Sequence, residues 1–299
     1  MVNNTPLVSV IVTTYNRKKL LKETIDSILN QSYKNFELII VDNYSNYDFL
    51  SHINTFSDDR INAYQNANDS IIAVNRNYGI KKAKGEYIAF CDDDDLWMEN
   101  KLEEQLKYFE DENIIGVGSS LILIGDTKLY KNKIYKSNRL LKFNNIIKEI
   151  VPLSSLIVRN LGYLFSEDKS LDCVEDFDFQ ISIILKSNKG ILKVKEPLIF
   201  YRVILHSFAY INKANNGINI INKYRKYLSM WQYKFMLCSY YTNLGTRYLR
   251  MFQKKRALHF FLKGFQYGFP VTNYKQLLGI FMLLFPKKTL IYILTRHYK

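Results

Sequence analysis

Four consecutive aspartates, Asp92–Asp95, are the residues of this chain whose type and spacing most clearly indicate chemistry. They come just after the apolar run Tyr87–Phe90, and adjacent carboxylates at the end of a buried strand repel one another unless a cation compensates them. Mg²⁺ and Mn²⁺ prefer hard oxygen ligands, and alternate residues of an extended chain, such as Asp92 and Asp94, face the same side. Helix capping would account for one or two of the four, not for all. The run therefore predicts a site for a divalent metal or a ribose.

Polar residues also follow two earlier apolar runs, Val8–Thr13 and Phe36–Val41, which have the composition of strands covered on both faces. These residues are Thr14, Tyr15 and Asn16 after the first run and Asp42 after the second. A nucleoside can stack on such side chains or hydrogen-bond to them. An Asp at a strand end equally forms an Asx turn or an N-cap, so both alternatives stay open for Asp42.

Charged side chains stand at three other places: Arg76, the pair Glu175 and Asp176, and the pair Arg202 and His206. The planar guanidinium of Arg76 suits a phosphate, although an Arg on a helix often faces solvent. One of the two carboxylates at 175–176 could cap the following apolar helix, whereas two together favour a catalytic role. His206 suits a metal, with a structural or exposed position as the alternative.

The elements that must position these residues alternate between strand and helix. Apolar residues recur at helical spacing over 18–30 and 70–84, and Gly85 is expected to end the second of these helices. The pattern is mixed over 145–208, with a helix at 176–187. Strand–helix alternation implies right-handed crossovers and a mainly parallel sheet, in which ligands gather at the carboxyl ends of the strands.

The ordered series VSVIVTTYNR, ELIIVDNYS, NRNYGIKKAKGEYIAFCDDDD, VED and YRVILHS resembles glycosyltransferase family 2 over about residues 7–208. The most specific part is the family pattern R-N-x-G, then A-x-G, then a strand that ends in D-x-D-D. It falls here on Arg76, Asn77, Gly79, Ala83, Gly85, Asp92, Asp94 and Asp95. The resemblance implies the GT-A fold, an α/β Rossmann-like and mainly parallel sheet with flanking helices, followed in this chain by a basic α-helical region.

The resemblance also implies inverting, metal-dependent transfer from a nucleoside-diphosphate sugar, with a UDP-sugar favoured. It assigns the donor to Thr14, Tyr15, Asn16, Asp42, Arg76, Asp92 and Arg202. It assigns Mn²⁺ or Mg²⁺ to Asp94, Asp92 and His206, and makes Asp176 the general base with Glu175 beside it. The Q-x-x-R-W motif of processive members is absent after Asp176, which predicts the addition of one sugar per encounter.

One departure from the family pattern concerns the second strand, which usually ends in D-D-G-S-x-D. Here the strand is followed by Asp42, Asn43, Tyr44 and Ser45. The base preference is therefore left open.

Charge divides the chain into two parts. Residues 1–196 carry 25 Lys or Arg against 28 Asp or Glu, a balance of −3, whereas residues 197–299 carry 17 Lys or Arg and no acid. The acid-free segment 197–299 predicts a polyanionic partner. The longest apolar stretch, Leu277–Phe285, is far shorter than the roughly 20 residues of a membrane span. Three sparse cysteines suit a reducing compartment, so a cytoplasmic protein, peripheral on the cytoplasmic face of the membrane, is expected.

The predicted domains are a catalytic domain at 1–211 and a basic helical tail at 212–299. The first divides into a nucleotide-sugar part at about 1–115 and an acceptor part at about 116–211. In the tail, one tetratricopeptide-like hairpin is indicated by Tyr241, Leu244, Gly245, Tyr248, Ala257 and Phe261. The apolar clusters at 277–285 and 290–294 lie among cations, which fits a helix in an anionic membrane interface or one packed on the core.

Two other functions are alternatives to transfer to a saccharide or lipid-linked saccharide. A nucleotidyltransferase normally needs a Gly-rich phosphate loop near its first strand, and Thr13–Lys19 contains no Gly. A non-enzymatic protein that binds nucleic acid or membrane would suit the basic tail, but the aspartate run repels nucleic-acid phosphates without a metal. Sugar transfer is therefore the predicted function, with no nucleic-acid partner.

Overall fold

The structure is a computed structural model that describes residues 5–125, 132, 134–146, 150–203 and 209–267. His206 and residues 268–299, which include both predicted membrane-interface clusters, lie outside the described residues.

A single mixed sheet organises the first two-thirds of the described chain. Its strands are β1 Val8–Thr14, β2 Phe36–Asp42, β3 Ile61–Gln65, β4 Tyr87–Asp92, β5 Leu96–Trp97, β6 Ile114–Gly125, β7 Arg139–Leu141, β8 Ile157–Arg159 and β9 Gly190–Val203. The order is β3-β2-β1-β4-β8-β6-β9-β5, and β7 pairs with β9. The predicted parallel sheet is found in β3-β2-β1-β4. Beyond β4 the sheet is mixed, because β8 runs antiparallel to both β4 and β6.

Helices flank this sheet and continue after it. They are α1 Lys18–Leu29, α2 Phe49–Asn54, α3 Ile72–Lys82, α4 Lys101–Leu106, α5 Phe143–Ile146, α6 Glu175–Ser187, α7 Ala209–Lys223, α8 Met230–Arg250 and α9 Lys254–Phe265. The helices predicted at 18–30, 70–84 and 176–187 are confirmed as α1, α3 and α6. The short elements α2 and β3 were not predicted. In β3 all five residues are only half-buried, so the sequence does not show the alternation of apolar and polar residues by which a strand is predicted.

The register of the parallel strands brings their carboxyl ends to one edge. Thr14 at the end of β1 lies opposite Asp42 at the end of β2, and Thr13 lies opposite Asp92 at the end of β4. Val10 and Ile40 are fully buried in the core that α1 covers with Leu21. The polar segments that follow three buried strands therefore meet at the same edge of the sheet.

Gly85 does not end α3 as predicted. The helix ends at Ala83, which has an extended conformation. A Cβ on Gly85 would lie 2.6 Å from the backbone nitrogen of Ser9 and 2.7 Å from the carbonyl oxygen of Leu7. The glycine is required because the chain entering β4 passes against the backbone of β1.

The chain forms two compact units. One carries the sheet and α1–α6, and the other carries residues 170–174 and α7–α9. The predicted boundary after residue 211 falls within α7, which lies wholly in the second unit. No helix of the described residues is long and apolar enough to span a membrane.

In the second unit, α8 and α9 pack against each other as a helical hairpin. A Cβ on Gly245 would lie 2.6 Å from the ring of Phe261, so the two helices approach closely at this glycine. Ala257 and Phe261 are fully buried at the same contact. These are the positions of the predicted hairpin, whose kinship to tetratricopeptide repeats stays a prediction.

Candidate active site

The loops after β1 and β2 are fixed to each other by Asn16. This residue has a left-handed backbone conformation with φ 55°, which Asn tolerates. Its backbone N–H donates to Ser45 Oγ at 2.7 Å, and its Oδ1 accepts from the backbone N–H of Asn46 at 2.7 Å. Tyr15 and Tyr44, on either side of this link, are 54% and 60% exposed. The two loops thus present two accessible aromatic rings at the sheet edge.

Asp42 is completely buried between these loops and β3. Its Oδ2 accepts from the backbone N–H of Ser45 at 2.9 Å and from Gln65 Nε2 at 3.1 Å, and its Oδ1 accepts from Ser45 Oγ at 2.5 Å. The Asx turn, one of the two alternatives for Asp42, is therefore formed. Its contact with a nucleoside stays a prediction.

The aspartate run divides into two buried and two more accessible carboxylates. Asp93 accepts from Thr14 Oγ1 at 2.7 Å, and burial raises the pKa of Asp93 to about 6 although Arg17 opposes this. Asp95 accepts from Ser154 Oγ at 2.6 Å, and burial raises the pKa of Asp95 well above its usual range. These two side chains hold the run in place and face away from solvent.

Asp92 and Asp94 form the more accessible pair, with side chains 33% and 15% exposed. Asp92 Oδ1 accepts from Arg76 Nη2 at 3.0 Å, and Asp94 Oδ2 accepts from Arg17 Nη1 at 2.6 Å. Burial, followed by the charge of Asp92, raises the pKa of Asp94. Among the described residues, the second carboxylate oxygen of each has no hydrogen-bond partner.

These two carboxylates fit a divalent metal. Mg²⁺ in nucleotide enzymes is usually held by one or two carboxylates together with phosphate oxygens of the substrate. The described part of the chain contains no group of three or more His, Cys, Asp or Glu placed to hold an ion. Asp92 and Asp94 supply the two carboxylates that such shared coordination uses.

Arg76 does not face solvent, which was the alternative to a phosphate contact. Its side chain is 7% exposed and joins Asp92 to Glu175, because Nη1 lies 2.5 Å from Glu175 Oε1. The other oxygen of Glu175, Oε2, is buried and has no hydrogen-bond partner within the described residues. Glu175 is thus the partner that keeps Arg76 charged and fixes it against Asp92.

Asp176 is the second residue of α6, directly after Glu175, and is only partly buried. Burial and then the charges of Asp95, Asp92 and Asp176 raise the pKa of the Tyr201 phenol of β9. Because Arg76 joins Glu175 to Asp92, the predicted general base follows a residue that is tied to the aspartate run.

Arg202 ties β9 to the aspartate run and to α1. Its Nε donates to the carbonyl oxygen of Asp94 at 2.8 Å, and its Nη2 lies 2.7 Å from Glu23 Oε2. Its backbone N–H donates to Asp95 Oδ1 at 2.7 Å. Arg202 therefore stands at the site with a resident acidic partner, whereas His206, predicted as a metal ligand, lies outside the described residues.

Three residues of this cluster were not predicted as site residues. Arg17 has a sequence signal, since it directly follows the polar turn after β1. Tyr201 precedes Arg202 at a strand end, where an aromatic looks like core. Ser154 belongs to a short helical turn, Leu153–Ser155, in a segment without periodicity, and nothing in the sequence marks it.

Comparison with known proteins gives the family. The sequence profile described as "Glycosyl transferase family 2" matches residues 9–170. An uncharacterized glycosyltransferase of Rickettsia bellii is 32% identical over 225 residues, which cover 73% of this chain and 32% of the relative. The chain thus spans about a third of the length of that relative.

A shorter relative is matched over most of its own length. It is the Escherichia coli enzyme named UDP-Glc:alpha-D-GlcNAc-diphosphoundecaprenol beta-1,3-glucosyltransferase WfaP, 32% identical over 205 residues, 66% of this chain and 77% of the enzyme.

A solved structure confirms the predicted fold. The mannosyltransferase PcManGT from Pyrobaculum calidifontis, determined in complex with GDP-Man and Mn²⁺, superposes with a TM-score of 0.60. The superposition covers 99% of this chain and 87% of that chain at 18% sequence identity. The sequence profile and the relatives together with this fold show that the chain belongs to glycosyltransferase family 2.

Proposed function

We propose that this protein transfers one sugar per encounter from a UDP-sugar to a hydroxyl of a lipid-linked saccharide, with inversion at the anomeric carbon. The observation that carries the proposal is the meeting of Asp92, Asp94 and Asp176 at the carboxyl ends of the strands. Asp92 and Asp94 are the accessible members of a run otherwise locked in place, and Asp176 directly follows Glu175, which Arg76 joins to Asp92.

The donor would lie across the loops after β1, β2 and β4. The exposed rings of Tyr15 and Tyr44 suit stacking on a base, and Asp92 ends β4, opposite Thr13 of β1. Asp94 and Asp92 would hold Mn²⁺ or Mg²⁺ together with the diphosphate. When bound, the metal supplies positive charge to the departing nucleoside diphosphate. The GDP-Man and Mn²⁺ bound by PcManGT and the UDP-Glc donor in the name of WfaP support a nucleotide sugar as donor.

Asp176 would act as the general base. It lies in the first turn of α6 directly after Glu175, which is ion-paired with Arg76. The carboxylate takes the proton of the acceptor hydroxyl as the new C–O bond forms, and the bond to the diphosphate breaks on the opposite side. A single displacement of this kind inverts the anomeric carbon. Arg76, held by Glu175, keeps Asp92 in place during the step.

The acceptor follows from the relatives and the charge pattern. WfaP is named for a GlcNAc-diphosphoundecaprenol acceptor, a lipid-linked saccharide. Such an acceptor lies at a membrane, and the acid-free segment 197–299 suits the anionic face of a bilayer. The proposed location is therefore the cytoplasmic face, where nucleotide sugars are supplied.

The test is a transfer assay with purified protein, Mn²⁺ and separate UDP-Glc, UDP-GlcNAc, UDP-Gal and GDP-Man donors. The acceptor is a synthetic GlcNAc-diphospholipid with a short chain, and products are identified by mass spectrometry and NMR. We expect one added sugar from a UDP donor, in the β configuration if that donor is α-linked. No product from any donor, or a nucleotidyl adduct, contradicts the proposal.

A further inference from the structure

The start of α8 carries an exposed apolar cluster in the second unit. A short helical turn, Arg225–Tyr227, leads into α8. Tyr227, Met230 and Trp231 are 49%, 56% and 64% exposed. We call this cluster, together with Arg225, Lys226 and Lys234, the α8 patch. Large apolar side chains adjacent on a surface, unlike single ones, mark a contact site.

The α8 patch is held in a fixed shape. Ser229 caps α8 through a reciprocal capping box with Gln232, so the first turn is well formed. The Trp231 ring stacks on Phe235 one turn later, with centroids 5.4 Å apart. The Arg225 guanidinium lies 4.5 Å from the Tyr233 ring centroid, and its Nη2 is 3.9 Å from Met230 Sδ. The exposed rings are therefore presented by rigid structure, and ordering them on binding costs little.

Cations far outnumber carboxylates in the described part of the second unit. Residues 209–267 contain 11 Lys or Arg and no acid, and four of these cations fall within 223–234. Asp172 is the one acidic residue among the described residues of this unit. A partner of this patch must therefore accept apolar side chains and bring negative charge.

We infer that the α8 patch docks this protein on the interfacial layer of an anionic bilayer. Trp and Tyr favour the level of lipid headgroups, Met230 adds apolar area below them, and Lys226 and Lys234 reach anionic headgroups. A second copy is a poor occupant, because an isologous contact would place this acid-free patch against itself. An anionic saccharide is less suitable, because it offers no apolar phase to Met230. The proposed docking site rests on the proposed function in one respect, because a lipid-linked acceptor requires the protein to work at a membrane.

Trp231 provides the test, because the chain has two tryptophans and Trp97 is buried. The full chain is titrated with vesicles of 70% phosphatidylcholine and 30% phosphatidylglycerol and with pure phosphatidylcholine vesicles. We expect a blue shift of the Trp231 emission, quenching by lipids brominated on the acyl chain, and co-sedimentation with the anionic vesicles only. An unchanged emission with anionic vesicles overturns the inference, as does a shift produced only by an anionic oligosaccharide or by self-association.

Variants then locate the contact. The double variant Met230→Ala with Trp231→Ala should weaken binding to the anionic vesicles, measured by co-sedimentation, about tenfold. The double variant Lys226→Gln with Lys234→Gln should weaken the same binding about fivefold for each cation that is removed. The matched control replaces two exposed apolar residues of α9, Leu258→Ala with Leu262→Ala, and should bind like the wild type. Equal binding by the patch variants and the control overturns the inference. Transfer to the short-chain acceptor in solution is measured in parallel, so a failed docking site is distinguished from a failed enzymatic function.

Discussion

Arg17 Nη1 lies 2.6 Å from Oδ2 of Asp94, the carboxylate proposed to bind the metal. The same nitrogen lies 2.9 Å from Oδ1 of Asp93. A resident guanidinium thus neutralises part of the aspartate run in the absence of donor. A metal that binds Asp94 through this oxygen must replace Arg17, so the ion pair and the ion compete for one carboxylate.

Arg17→Gln should therefore strengthen metal binding in the absence of nucleotide. The Arg17 side chain is 40% exposed, and an ion pair of this exposure contributes about 0.2–1 kcal/mol. Loss of this ion pair corresponds to a dissociation constant for Mn²⁺ that is about 1.4- to fivefold lower in the variant. The measurement is the free Mn²⁺ signal in electron paramagnetic resonance during titration of the variant.

Lys22→Gln is the matched control for this titration. Lys22 pairs with Asp26 on the exposed face of α1, and its replacement changes the net charge equally. The control should bind Mn²⁺ like the wild type. Weaker binding by Arg17→Gln would show that Arg17 supports the metal site instead of competing for it.

Asp176→Asn should abolish transfer while leaving donor binding intact. An amide cannot take the proton of the acceptor hydroxyl, and general-base help is worth about 10²–10⁴-fold in rate. We expect kcat to fall by this factor and the Kd of the nucleotide, measured by calorimetry, to stay within about twofold. A near-normal kcat would remove Asp176 from the mechanism.

Glu175 should respond differently from its neighbour. Its carboxylate is buried on Arg76, and removing one partner of a buried ion pair costs about 3–5 kcal/mol. Glu175→Ala should lower the free energy of unfolding in urea by this amount. Asp176→Asn leaves the ion pair between Arg76 and Glu175 intact, so its loss of stability should be smaller. Equal stability of the two variants would contradict the structural role of Glu175.

The sequence predicted the elements that have a strong period and the motifs at their ends. β1, α1, β2, α3, β4 and α6 lie within a few residues of their predicted positions because apolar spacing alone specifies them. The choice of Asp92 and Asp94 as the working pair followed from the alternation of a strand. Asp92 and Asp94 are more exposed than Asp93 and Asp95, and the roles of Asp92, Asp94 and Asp176 stay predictions.

Contacts between distant residues could not be predicted in this way. Asp93 is buried against Thr14, 79 positions earlier in the chain, and the aspartate run itself does not indicate this contact. Whether Arg76 faced solvent depended on Glu175, 99 positions away. Such partners are set by how the elements pack, and a single sequence carries no local signal for them.

Gly85→Ala tests the close approach of β4 to β1. A methyl group there would meet backbone atoms of Leu7 and Ser9 at 2.6–2.7 Å, which cannot move as a side chain does. Overpacking of this kind costs about 1–3 kcal/mol, and we expect a matching loss of stability in urea unfolding. The control is Gly162→Asn, because Gly162 has φ 73° and open space around it, and Asn tolerates that conformation. If Gly85→Ala left the free energy of unfolding unchanged, the close approach of Gly85 to the backbone of β1 would be contradicted.

Lys101 gives the protein a pH-dependent stability. Its side chain is fully buried, and Nζ lies 3.9 Å from the centroid of the Trp97 ring. Nζ has no hydrogen-bond partner among the described residues, and burial lowers the pKa of Lys101 to about 7. The unfolded chain, with a pKa near 10.5, therefore binds more protons than the folded protein between pH 7 and 10.5. Folding stability from this group rises with pH over that window, and the full cost of a buried charge applies below pH 7.

Lys101→Met should remove this cost and most of the pH dependence. Met has a similar length and fills an apolar site. The pKa difference corresponds to at most about 5 kcal/mol, reduced by the attraction between the ammonium and the Trp97 ring. We expect the variant to be more stable than the wild type at pH 6.5, with the gain shrinking toward pH 10, in urea unfolding followed by circular dichroism. Lys19→Met, at an exposed position of α1, should show no such trend. A gain that is equal at both pH values would mean that the pKa of Lys101 is the same in the folded and the unfolded protein, so that burial does not lower it.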